Sequence, residues 1–161
     1  RSGSVTGVQT CALPIYLAQR AIAAMEQKIT GIDTNAMMTR EVGLPLAHAL
    51  VSFANGDHAE VLNRLQPIRT IASRFGGSHA QRDLIHLTLV ESALRSDKFR
   101  LARALIAERT QLKPSSPSNW QLTARVMEMN GDFGAAARAM ESAETRRKAQ
   151  FMPQRTMALS G

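Results

Sequence analysis

The feature that most constrains the fold is an internal repeat. Asp97-Lys98-Phe99-x-x-Ala102 returns 34 residues later as Gly131-Asp132-Phe133-x-x-Ala136. Gly56-Asp57-x-x-x-Val61 is a looser copy lying 41 residues upstream of Asp97, so the first unit carries a seven-residue excess. A fixed period of this length marks stacked supersecondary units, none of which can bury its apolar face alone. Whatever fills each unit must fit about 34 residues and hide its greasy side against a neighbour.

Apolar spacing says that the filling is helical. Leu17, Ala21, Ala24, Met25 and Ile29 make one stripe that ends at Gly31, which predicts a lone helix over 16–30. Asp33-Thr34-Asn35 offers capping side chains ahead of a short Met-bearing segment. A first hairpin is expected over 44–75. Pro45 is tolerable in its first turn, Asn55-Gly56-Asp57 breaks it, and Val61, Leu62, Leu65 and Ile68 line its second helix. Pro67 should kink or divide that helix, leaving a further segment over 68–75 that runs to Gly76-Gly77.

A second hairpin is expected over 78–113. Ser78-x-x-Gln81 fits a capping box, and Leu84, Leu87, Val90 and Leu94 give the first stripe. Phe99, Ala102, Leu105, Ile106 and Leu112 give the second, which Pro114 closes. The third hairpin, 116–147, starts at Ser116 or Ser118 and carries Trp120, Val126 and Met127. It turns at Asn130-Gly131-Asp132 and returns through Phe133, Ala136, Met140 and Ala143. Residues 149–161 read as a flexible tail. The expected fold is all-α.

Composition agrees with close-packed helices. Aromatic residues are 4% against 44% apolar overall, so the core rests on Leu, Ala, Ile, Val and Met. The formal charge of +7 invites a nucleic-acid reading. However, the basic residues are scattered apart from Arg146-Arg147-Lys148, and the aromatic residues sit at packing positions, so that reading is set aside. No apolar run is long enough to span a bilayer, and no membrane partner is expected.

Two resemblances bear on this frame. Val5–Ile15, VTGVQTCALPI, resembles the translation of a sequencing-library adapter joined in frame to a gene fragment. The resemblance implies that 1–15 is non-native and disordered, that the true N-terminus is missing, and that Cys11 says nothing about redox compartment. The 34-residue period, Gly131, Ala136, Ala143, Trp120 and the closing Pro114 resemble the tetratricopeptide repeat. Asp97 at the turn glycine, His86 at the first-helix aromatic and Val61 at a small-residue position depart from it. The runs EVGLPLAHAL, GGSHAQRD and LARALIAERTQLKPSSPSNW resemble the C-terminal part of the tetratricopeptide repeat protein 38 family, over roughly 35–147. These resemblances imply a fragment of a right-handed α-solenoid over 16–148, cytoplasmic and without cofactor. Its expected role is that of a non-catalytic scaffold holding a peptide or protein on its concave face.

The candidate site residues are Gly76, Gly77, His79, Arg82 and Asp83. His79, Asp83 and His86 share one helical face, and two imidazoles with a carboxylate form a common divalent-metal ligand set. Against this, Asp83 serves the first helical turn electrostatically and His86 holds a packing position. The preferred reading makes Arg82 and Asp83 a polar network, with Gly76-Gly77 allowing close backbone approach. The competing reading is an enzyme or metal protein whose site includes His79, Arg82 and Asp83 and is completed by further chain upstream. No nucleophile motif, phosphate loop or paired carboxylates are present.

Overall fold

The computed structural model describes residues 8–72 and 79–151, with side chains described from 16 to 72 and from 83 to 151. Among these residues every regular element is helical: the fold is all-α. The chain divides into two compact units at Ser96–Asp97.

The first unit begins with α1, Val8–Lys28, which reaches back into the stretch that resembles adapter sequence. Ile22 is its buried anchor. The turn at Gly31 is tight, because a β-carbon there would lie 3.1 Å from the Ala36 β-carbon. Asp33 then caps α2, Thr34–Met38, by accepting from the Ala36 N–H at 2.8 Å. That hydrogen bond, followed by the Lys28 ammonium at 3.1 Å, holds the Asp33 carboxyl below its ordinary value.

From Thr34 the helix does not stop where a short separate segment was expected. It passes through a π turn, Thr39–Gly43, in which Leu44 N–H donates back five residues to the Thr39 carbonyl, and continues directly as α3, Leu44–Ala54. Pro45 explains the widening. It brings no N–H and its ring crowds the carbonyl four residues earlier, and a wider preceding turn relieves that crowding.

Next comes α4, His58–Ile68, antiparallel to α3 across the Asn55-Gly56-Asp57 turn. Val61, Leu62, Leu65 and Ile68 are all buried, as their spacing predicts. α4 runs through Pro67 and ends one residue later, with the Arg69 N–H still reaching the Leu65 carbonyl, and the chain goes on as turns at 69–71. α5, His79–Arg95, packs on α4 and touches α3. Val90 and Leu94 of the expected stripe are buried, together with Ile85, Thr88, Leu89, Ser92 and Ala93, while Leu84 and Leu87 are 47% and 39% exposed. This corrects the expected stripe, which placed the latter two inside.

The second unit holds α6, Phe99–Leu112, α7, Pro117–Met129, and α8, Phe133–Phe151. α7 packs against both of the others. Ala102, Leu105 and Ile106 of α6 are buried, but Leu112 is exposed. On α8 only Ala139 and Ala143 are buried, and Phe133 and Met140, expected inside, face out. Residues 78–113, expected as one hairpin, are shared between the two units.

The repeat is visible in backbone stereochemistry. Gly56, Asp97 and Gly131 all have positive φ, at 79°, 55° and 79°, and each stands two residues before the next helix. At Asn55-Gly56-Asp57 and Asn130-Gly131-Asp132 the chain closes the same pair of bonds. The glycine N–H reaches three residues back, and the aspartate N–H five, to Ser52 and Met127 respectively, both at 2.9 Å. Asp57 and Asp132 then cap the following helix.

A β-carbon on Gly131 would meet nothing within 4 Å, so only the left-handed backbone penalises Gly131→Ala, by about 1 kcal/mol. Asp97→Gly relieves the same strain and should be neutral or stabilising by under ~1 kcal/mol. Urea midpoints of opposite sign would bear this out; an unchanged Gly131→Ala would refute it.

Candidate functional site

The residues singled out from sequence are only partly visible. Gly76 and Gly77 lie outside the described residues, and His79 and Arg82 are placed in the first turn of α5 with side chains outside them. Asp83 and His86 are both half-buried on α5, and neither lacks a partner. Among the described residues no group of three or more His, Cys, Asp or Glu could hold a metal. The remaining histidines serve the first unit. His48 on α3 lies 3.9 Å from the Glu26 carboxylate on α1, and His58 meets Phe53 edge to face at 5.2 Å. Among the described residues no helix is long and apolar enough to cross a membrane.

The organised chemistry lies in the second unit, where α6 hands over to α7. Lys113 ends α6, Ser116 accepts from the Asn119 N–H, and Pro117 opens α7 where its missing N–H costs nothing. The asparagine side chain points back into the junction. Its Nδ2 donates to the Arg109 and Lys113 carbonyls at 3.2 and 3.3 Å, and its Oδ1 accepts from Arg109 Nε at 2.7 Å. Both residues are buried. One amide thus caps the last turn of α6 and neutralises the cost of burying a guanidinium nitrogen.

A second set of bonds pins the loop from outside. The Pro114 carbonyl accepts from Trp120 Nε1 at 2.8 Å and from Arg146 Nε at 2.5 Å. The same guanidinium lies 4.4 Å from the Trp120 ring centroid and donates to the Ser142 carbonyl. α8 therefore holds the indole from one side while the loop holds it from another.

Next to this clamp is an open groove of about 380 Å³ between α6 and α7. Ile106, Ala107, Pro114, Trp120 and Met127 give it an apolar lining, with Thr110, Gln111, Thr123 and Arg103 as its polar groups. The threonine hydroxyls are occupied, each donating to the carbonyl four residues earlier and meeting at 3.3 Å. Neither is poised as a nucleophile, and no imidazole or carboxylate lines the groove. Among the described residues the Arg103 guanidinium forms no ion pair. The arrangement can hold an apolar side chain and offer one cation beside it.

The first unit has a groove of its own, about 290 Å³, between α1 and α3. Alanines at 18, 21, 47 and 54 with Ile22, Leu50 and Val51 line it, and Asn55 is its one polar side chain. Such a surface suits helix packing better than orienting a ligand.

Sequence reasoning missed the Arg109–Asn119 pair, although a signal existed. In the 34-residue register Arg109 falls on Ala143 and Asn119 on Ile85, two buried apolar positions. A charged and an amide side chain on apolar faces ten residues apart should be tested as partners. No family model matches the chain, and no solved structure matches it.

Proposed function

We propose that the chain is a non-catalytic, tetratricopeptide-like helical-repeat module that holds a segment of a partner protein in the groove between α6 and α7. One observation carries the reading: the groove is open, apolar and already braced. Bonds made by Asn119, Trp120 and Arg146 fix its walls in advance, so little ordering is needed on binding. The 34-residue period and the three left-handed turn residues support the repeat assignment. The occupied hydroxyls and the lack of a base beside them favour binding over catalysis.

Trp120 is the single tryptophan and lines the groove, so its fluorescence reports on occupancy without a label. Peptides selected from a displayed random twelve-residue library on the full chain are expected to shift Trp120 emission. Ala107→Leu narrows the groove from an exposed position and should weaken those peptides about tenfold, a loss of about 1.4 kcal/mol. Leu112→Ala, exposed and outside the groove, should leave them unchanged. Selected peptides that bind Ala107→Leu as tightly as the parent would place the contact elsewhere and end the proposal.

A further inference from the structure

Charge around the α6–α7 groove is one-sided. Arg103 lines it, and Arg100 stands one turn earlier on the same face of α6. Both are exposed, and among the described residues neither guanidinium meets a carboxylate. Arg146, beside Trp120 at the loop end, meets only neutral groups: the Pro114 and Ser142 carbonyls and the indole ring. α6 and α7 carry one glutamate each, Glu108 and Glu128. Each stands about 100° round its helix from the lining residue before it, Ala107 or Met127, and so faces away from the groove. The second unit, 97–161, also holds most of the chain's formal charge of +7.

An apolar groove with uncompensated cations at its rim favours a partner that brings negative charge beside an apolar side chain. Resting on the reading of this groove as the binding site, we propose that its occupant is an acidic peptide segment. One apolar side chain enters between Trp120 and Met127, and two Asp or Glu side chains pass Arg103 and Arg100. The spacing selects acidic side chains over a chain end. The two arginines leave α6 one turn apart, so a running segment meets both, whereas a single terminal carboxylate meets one. The lining selects protein over nucleic acid. Its one indole, already in contact with Arg146, offers no run of rings for successive bases.

The probes are the peptides selected on the full chain from the random library, read by Trp120 emission. They are expected to carry Asp or Glu beside an apolar residue and to lose affinity as salt is raised. Arg100→Gln/Arg103→Gln should weaken them about tenfold, and the same peptides with Asn and Gln in place of Asp and Glu should bind parent and variant alike. Both arginines are exposed and form no ion pair among the described residues, so folding is not at stake. Arg138→Gln, exposed on α8 and outside the groove, removes a positive charge and should leave the peptides unchanged. Peptides that Ala107→Leu weakens but the double arginine variant binds as tightly as the parent would overturn the acidic occupant and leave the groove reading standing. Peptides indifferent to Ala107→Leu would overturn both. Loss of binding on amidating the peptide C-terminus would show that a chain end is held instead. A single-stranded DNA oligonucleotide that shifts Trp120 emission at lower concentration than any peptide would give the cations to nucleic acid and end the proposal.

Discussion

Asn119→Ala is expected to destabilise the protein by about 3 kcal/mol, out of proportion to the few atoms removed. The amide makes three bonds in a buried junction, and alanine makes none. Arg109 Nε loses the acceptor at 2.7 Å, and the Arg109 and Lys113 carbonyls each lose one of their donors while keeping the backbone N–H of Lys113 and of Ser116. Buried polar groups left without partners cost far more than the net worth of the bond they made. The control is Arg109→Met/Asn119→Leu, which removes both members and fills their volume with apolar atoms. If the penalty comes from orphaned groups, the double variant should be more stable than Asn119→Ala, even though it changes more. Asn119→Asp should fall between them, since it keeps an acceptor for Arg109 and loses the donor to the two carbonyls. Urea denaturation with a constant slope would give the three values. A double variant as unstable as the sum of its two single substitutions would show that the pair is not coupled.

What could be read from sequence follows the physics of each feature. Turns are local, and Asn-Gly-Asp carries its conformation in its own residues. The two copies of that tripeptide therefore close identical bonds, and Asp97 holds a positive φ because the period demands it there. The π turn before Pro45 was not legible, because helical spacing on either side of it tolerates one inserted residue and shows no break. Faces were legible only where neighbours agree with periodicity. Val61, Leu62, Leu65 and Ile68 are inside because α3 and α5 flank α4 from both sides. Phe133 and Met140 have the right spacing but are exposed on α8, so spacing alone misplaced them. The Gly76–Asp83 cluster is a different case, since its glycines and the side chains of His79 and Arg82 lie outside the described residues.

α5 gives the sharpest test of that distinction, because two leucines two positions apart exchange roles between the pattern and the structure. Leu84, Leu87, Val90 and Leu94 make an acceptable helical stripe on paper. Val90 and Leu94 are buried as the stripe expects, but Leu84 and Leu87 are not, and the rest of the buried surface runs through Ile85, Leu89 and Ala93, with Thr88 and Ser92 as small polar members. The buried arc covers more than half of the helix circumference, and Leu84 and Leu87 fall on the side that remains exposed. Leu89→Ala should therefore cost about 3 kcal/mol, combining lost transfer energy with a cavity that closely packed helices close only in part. Leu87→Ala, at 39% exposure, should cost less than about 1 kcal/mol. The chemistry of the two changes is the same, so any difference in urea midpoint reports rotation of α5 about its own axis and nothing else. Equal losses at the two sites, or a larger loss at Leu87, would mean that α5 is turned by most of a right angle from the orientation described.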